Sequence, residues 1–152
     1  MKIKLEFHEK YKEPEIHICH DRDSREIRKI YAAIKNVVDL KVRANDGNET
    51  VILPSSEIIR IYSQEKRVYA VTTEKAYLLH ERLYELEETL DMHQFIRISN
   101  SEIVNLQKIK RLDTGLTGTI KMYLEGEQET YVSRRYVTKI KKALGIGGRN
   151  ND

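Results

Sequence analysis

The stretch from Phe95 to Leu106 constrains this chain more than any other. Apolar side chains stand at Phe95, Ile96, Ile98, Ile103, Val104 and Leu106, and a polar knot, Ser99-Asn100-Ser101-Glu102, divides them. Two buried-looking segments therefore flank a short exposed one. Ser and Asn carry short side chains that both donate and accept hydrogen bonds. They also favour turns and helix N-caps for purely local reasons. The residues alone leave two readings open: a tight turn with capping side chains, or a scaffold that presents a recognition loop.

The rest of the composition sets the frame for that choice. The chain has 152 residues, of which 39% are hydrophobic and 34% charged. That is enough for one domain with a core, or for a domain and a short extension. No apolar run approaches the roughly 18 residues a membrane span needs. Residues 1–12 are charged throughout, unlike a secretory leader. The lone cysteine, Cys19, excludes an intramolecular disulfide and fits a reducing cytoplasm, where the protein is expected. A net charge of +3 says little about nucleic acid. Its distribution says more: Arg134, Arg135, Lys139, Lys141, Lys142 and Arg149 follow one another with no acidic residue between them. Phosphates are recognised locally, and neutralising them releases counterions. A solvated helix face is the plainer account of the same run.

Read in order, the chain opens with period-two alternation over Lys2 to His8. A break at Glu13-Pro14 follows, and alternation returns over Glu15 to His20. Both stretches read as half-buried strands. Asp21 or Asp23 is the expected cap of a helix from Ser24 to Val37, with Ile27, Ile30, Tyr31, Ile34 and Val37 on one stripe. A hairpin is expected around Asn45-Asp46-Gly47-Asn48, joining 40–43 to 50–53. Pro54-Ser55-Ser56 marks a boundary. Strands are expected at 58–62, 68–72 and 76–79, followed by a short helix carrying Leu83, Leu86 and Leu90. The segment 112–118 reads as a loop, and 119–124 with 129–132 as a hairpin. A helix over 136–144 turns Val137, Ile140 and Leu144 inward and ends at Gly145. Many short strands with few helices predict a mainly β, antiparallel architecture. The expected division is an N-terminal β-β-α extension over 1–53, a main domain over 54–147, and a frayed tail over 148–152.

Catalytic and metal-binding readings find little support. His17-Ile18-Cys19-His20 resembles a ligand cluster, yet on a strand His17 and Cys19 share a face while His20 points away. No second His/Cys pair completes a tetrahedral site. Cys19 lacks an acid–base partner for nucleophilic work. The glycines form neither a phosphate-binding loop nor a dinucleotide fingerprint. Neither catalysis nor a cofactor is expected.

The polar knot and its flanks resemble the signature of the LytTR family of bacterial DNA-binding domains. That signature runs Phe-Phe/Ile-Arg-x-His-Arg/Asn-Ser-x-Ile-Val-Asn, and here the residues are Phe95-Ile96-Arg97-Ile98-Ser99-Asn100-Ser101-Glu102-Ile103-Val104-Asn105. Tyr131-Val132-Ser133-Arg134-Arg135-Tyr136, before Lys139-Ile140-Lys141, is similar to the family's second motif. Leu83-Tyr84-Glu85-Leu86-Glu87-Glu88-Thr89-Leu90 is similar to its short helix. The resemblance spans roughly Ser56 to Gly145, with one departure: Ser99 stands where many members have His.

The resemblance implies a stack of small antiparallel sheets whose loops, rather than a helix, enter the DNA major groove. It carries the first loop onto the turn at Lys66-Arg67, the second onto Asn100 and the third onto Arg135. Arg can bond guanine O6 and N7, and Asn can bond adenine N6 and N7. Ser99, Ser101, Arg134, Lys139 and Lys142 then become expected phosphate contacts, which position without specifying. Arg97, on a strand, is expected to pair with a nearby carboxylate. The resemblance further implies double-stranded DNA carrying direct repeats near promoters, bound by two protomers as a homodimer. The first 53 residues are too short for a phospho-receiver, so a stand-alone, response-regulator-like factor is expected, with a membrane protein as its inhibitory partner. Two other readings stay open. One is a protein-interaction module dimerised through the N-terminal extension. The other is an RNA binder using Tyr62 and Tyr69 as stacking platforms.

Overall fold

A computed structural model describes residues 2–12, 14–115 and 118–147, except for the side chains of 36 and 37. Glu13, the Val37 side chain, Leu116, Thr117, Arg149 and the tail over 148–152 lie outside the described residues. The chain divides into two compact units, Met1–Val38 and Asp39–Asp152.

The first unit contains one helix, α1 (Arg25–Val38). Ser24 starts it, in place of the expected Asp21 or Asp23. Its Oγ accepts the Ile27 N–H at 3.3 Å. Asp23 is instead engaged by Arg28, whose guanidinium holds that carboxyl below its ordinary range. Ile27, Ile30 and Ile34 are half-buried along the expected stripe. The alternating stretches 2–8 and 15–20 form no strands, contrary to expectation. Alternation specifies which side of a strand would be buried, but an isolated strand pair is marginal without a third strand or a cover.

The second unit is antiparallel β with two short helices. A seven-stranded sheet has the order β2-β1-β5-β4-β3-β7-β6. Its strands are β1 (Lys41–Asp46), β2 (Glu49–Pro54), β3 (Arg60–Gln64), β4 (Arg67–Val71), β5 (Ala76–Leu79), β6 (Phe95–Ser99) and β7 (Glu102–Asn105). A smaller sheet, ordered β10-β9-β8, comprises β8 (Ile109–Asp113), β9 (Ile120–Leu124) and β10 (Gln128–Val132). Helix α2 (Leu83–Thr89) follows β5, and α3 (Val137–Leu144) follows β10 through a 3-10 turn at Arg134–Tyr136.

The β6–β7 end of the large sheet is covered on both faces, which explains the paired apolar residues of those two strands. Phe95, Ile61 and Ile103 join Val68, Ala70, Leu79 and the α2 residues Leu83 and Leu86 in one core. Ile96, Ile98 and Val104 face the other way, onto Ile120, Met122, Leu124, Val132 and Ile140. Period-two strands place neighbours on opposite faces, so adjacent apolar pairs such as Phe95-Ile96 and Ile103-Val104 mark double coverage. Val137 and Leu144 pack beside Ile140 as expected, and Gly145 ends α3 at φ 65°.

Two features differ from the sequence expectation. The hairpin β1–β2 forms where its turn signal places it, but Ala44 and Asn45 pair with Leu79 and Leu78 of β5. A boundary at 53/54 therefore falls inside the pattern of one sheet, whereas the compact units meet at 38/39. Strand β8 takes in Leu112 and Asp113, which the sequence places in a loop; a register shift between Ile109 and Arg111 breaks the alternation that would mark it.

Asn105, inside the apolar run, is fully buried. Its Nδ2 donates to the Ile58 carbonyl at 2.8 Å, and its Oδ1 accepts the Gln107 N–H at 3.0 Å. It ties β7 to the 58–59 segment, where its own N–H donates to the Ile59 carbonyl. Asn105→Ala strips partners from two backbone groups in a dry site and should lower unfolding free energy by about 2–3 kcal/mol in urea titration. A loss below about 0.5 kcal/mol, the range of ordinary surface changes, would refute this structural role.

Candidate nucleic-acid interface

Three chain segments reach one end of the large sheet, and their side chains can be taken in turn. The β3–β4 connection has two residues, Glu65 and Lys66, at φ 51° and 65°. Positive φ at both centres defines the turn whose twist matches a hairpin. Neither residue is Gly or Asn, so the left-handed backbone costs roughly 1 kcal/mol at each. Arg82, at the foot of α2, donates from Nη1 to the Lys66 carbonyl at 3.3 Å. The Lys66 and Arg67 side chains stay exposed.

The β6–β7 tip is Asn100-Ser101, and Arg97 holds it from below. The guanidinium donates to the Ser99 carbonyl at 2.7 Å and to the Asn100 carbonyl at 2.5 Å. Its Nη1 donates to Glu87 Oε2 of α2 at 2.8 Å. The expected carboxylate pairing is therefore present, and the grip on the tip accompanies it. Ser99 Oγ accepts the Ser101 N–H at 3.2 Å and lies 3.3 Å from Ser101 Oγ. The Ser99 hydroxyl is thus engaged within the turn, whereas Asn100 and Ser101 are exposed.

Glu102 corrects the picture of a wholly exposed knot, because it is buried. Its carboxylate accepts from Arg60 Nη1 at 2.8 Å and from Thr130 Oγ1 at 2.7 Å. The contact bridges β3, β7 and the smaller sheet. Fixed side-chain hydrogen bonds of this kind offset the cost of taking the charge out of water.

The third segment leaves β10 at Ser133, whose N–H donates to the Ile98 carbonyl at 2.9 Å. Arg134 and Arg135 follow, both exposed. Tyr136 closes the turn and donates its hydroxyl to Asn100 Oδ1 at 3.2 Å. That bond joins the second and third segments directly. The first joins them through β3: the Ser63 N–H donates to the Ser101 carbonyl at 2.8 Å. Lys66 lies three residues past Ser63, at most about 10 Å along the chain. The Lys139 and Lys142 side chains are exposed on α3, and Lys139 Nζ stands 4.0 Å from Glu87 Oε1.

The structure therefore brings Lys66, Arg67, Ser99, Asn100, Ser101, Arg134 and Arg135 to one end of the sheet. Lys139 and Lys142 continue the basic character along α3. Sequence reasoning missed Arg82, Tyr136 and the two-carbonyl grip of Arg97. Their partners lie 16, 36 and 2–3 residues away, and no local pattern announces them. The outer face of the small sheet is also basic, but differently arranged. Arg111 lies over Tyr123 at 3.8 Å, and Lys121 pairs with Glu129 at 3.3 Å. Tyr62 and Tyr69, the stacking platforms of the RNA reading, stack on each other with centroids 5.4 Å apart and are half-buried. His17, Cys19 and His20 are exposed, with His17 bonded to Glu15 and His20 to Asp21. Among the described residues no group of three His, Cys, Asp or Glu is placed to hold a metal.

A β scaffold that presents cationic turns at one end has the make-up of a nucleic-acid-binding module. The chain belongs to the LytTr DNA-binding domain family, whose model matches residues 48–145. An uncharacterized HTH-type transcriptional regulator of Staphylococcus aureus strain NCTC 8325 is 45% identical over 98 residues, covering 64% of this chain and 66% of the relative. Its counterpart in strain MRSA252 is 44% identical over the same span. The match thus covers just under two thirds of those relatives' own length. A solved LytTr DNA-binding domain from Bacillus cereus superposes with a TM-score of 0.67 at 24% identity, covering 70% of this chain and 97% of that one. That likeness concerns the fold. Within the second unit, five strands separate α2 from α3, so these two helices form no helix-turn-helix.

The left-handed turn yields a direct test. Lys66→Gly should raise unfolding free energy by about 0.5–1 kcal/mol, read from urea midpoints at constant slope, because glycine accepts positive φ without penalty. An unchanged or lower midpoint would contradict the turn geometry.

Proposed function

We propose that this protein is a transcriptional regulator that binds duplex DNA sequence-specifically, with the three turns entering the major groove. The observation that carries the reading is the linkage of the turns. Tyr136 bonds Asn100, Ser101 bonds Ser63, and exposed Lys66, Arg67 and Arg135 stand around that axis. Asn100 Oδ1 has a second lone pair beyond the one Tyr136 uses, and its amide protons remain available to an adenine edge. Arg135 supplies the fork that fits guanine. Arg134, Lys142 and the Ser101 hydroxyl are assigned to phosphates. Lys139 is assigned there too, with Glu87 as its competitor when DNA is absent. Two protomers on direct repeats, in the cytoplasm, complete the proposal.

Selection from a random duplex pool tests it. The wild-type chain should enrich a short motif repeated about one helical turn apart. Asn100→Ala and Arg135→Ala should each relax one position and cost about 1–3 kcal/mol, roughly 5- to 150-fold in affinity. Lys142→Ala should weaken all sequences evenly and lower the slope of log K against log salt by about 0.9. Retention without any enriched motif would leave only non-specific attraction. No retention at moderate salt would overturn the proposal in favour of a protein-interaction module.

A further inference from the structure

Residues 2–8 read Lys2-Ile3-Lys4-Leu5-Glu6-Phe7-His8. Extended, they place Ile3, Leu5 and Phe7 on one side and the charged residues and His8 on the other. The segment joins no sheet here, and Ile3, Leu5 and Phe7 are 85%, 79% and 89% exposed. Three large exposed apolar side chains on a segment outside any sheet would, in an extended backbone, form a template for another strand.

We propose that this segment pairs antiparallel with the same segment of a second copy, about a two-fold axis through Leu5. The sequence is complementary to itself in that register. Lys4 faces Glu6 of the other copy, Ile3 faces Phe7, Lys2 faces His8, and Leu5 meets Leu5. Opposite charges and aromatic–aliphatic pairs are the favoured cross-strand neighbours. Competing registers are disfavoured by charge. Sliding two residues one way sets Glu6 against Glu6, and sliding the other way sets Lys4 against Lys4. A one-residue slip turns the apolar side over. A parallel, in-register pair opposes Lys2, Lys4 and Glu6 with their own kind.

Lys4 and Glu6 already lie on one side of the segment, with Nζ and Oε2 3.7 Å apart. A two-stranded ribbon needs a cover. The same unit holds one: the stripe of Ile27, Ile30 and Ile34 on α1, with Tyr31 still 59% exposed. A strand has two edges, so pairing of 2–8 with 15–20 in the same chain leaves the second edge for the other copy. The inference goes beyond the proposed function: a two-fold pairing of the N-terminal unit is a separate self-association, and it rests on different residues from the DNA-reading turns.

Sedimentation equilibrium of the full chain tests it, using wild type, Lys4→Glu, Glu6→Lys and the double variant Lys4→Glu/Glu6→Lys. Wild type should show a concentration-dependent dimer. Each single reversal sets like charges opposite each other twice per dimer and should weaken association on the order of tenfold. The double variant exchanges the signs and should regain wild-type association to within about threefold. A monomeric wild type overturns the proposal, as do single variants that associate like wild type. A double variant as weak as the singles overturns the register. Binding of each variant to one half-site, measured in parallel, separates this outcome from failure of the DNA reading, since no variant touches the turns.

Discussion

The β6–β7 hairpin is buried on both faces, and that double burial governs what the rest of the second unit can do. Phe95 and Ile103 enter one core while Ile96, Ile98 and Val104 enter the other. Only the tip remains for polar work. Inside, each polar group must find a partner, since an unpaired one costs about 1–3 kcal/mol. Asn105 meets this with backbone bonds, and Glu102 with Arg60 and Thr130. Breaking a buried pair by removing one member leaves an uncompensated charge. Glu102 thereby fixes the register of β7 between the two sheets, and the register in turn sets where Asn100 emerges.

Precision at the tip comes from one strand residue of the hairpin, anchored on α2, and from one residue outside it. Arg97 spans the tip carbonyls and Glu87, and Tyr136 reaches Asn100 from the third segment. A short side chain on a two-residue turn would otherwise sample several orientations. Holding it before ligand arrives reduces the ordering cost that binding must overcome. The first turn is shaped differently, by backbone conformation. Glu65 and Lys66 occupy left-handed φ where Asn-Gly would be relaxed. Strain of this sort collects at sites where a side chain is needed for something other than stability, and a lysine at such a position fits that pattern.

The sequence revealed much of this fold where local chemistry decides the outcome. The apolar residues on either side of the polar knot read as two buried segments and the knot as the exposed stretch between them; that both faces of the hairpin are covered depends on α2 and the smaller sheet, which no local pattern names. The Asn45-to-Asn48 signal located the β1–β2 hairpin, but nothing in it names β5 as the neighbour, because edge pairing depends on distant packing. Strand β8 was hidden by its bulge. The stretches 2–8 and 15–20 alternate as strands do, yet they form no strands within the chain, since a lone pair of short strands is marginal. At the candidate site Asn100, Arg134 and Arg135 stand within the family-like motifs, whereas Lys66 and Arg67 sit in a turn that no motif anchors. The roles of Arg82, Tyr136 and Glu102 were not, since each depends on a partner from another element of the fold.

The central claim is that DNA engages the end of the large sheet where the three turns meet. Amide chemical-shift mapping of the isotope-labelled full chain, titrated with a duplex recovered by selection, tests this most directly. The largest shifts should fall at 64–67, 97–101 and 133–136 and around Lys139 and Lys142. The outer face of the small sheet, at Arg111, Lys121 and Tyr123, should stay near its free values. Shifts centred on that outer face, with the three turns unmoved, would contradict the account.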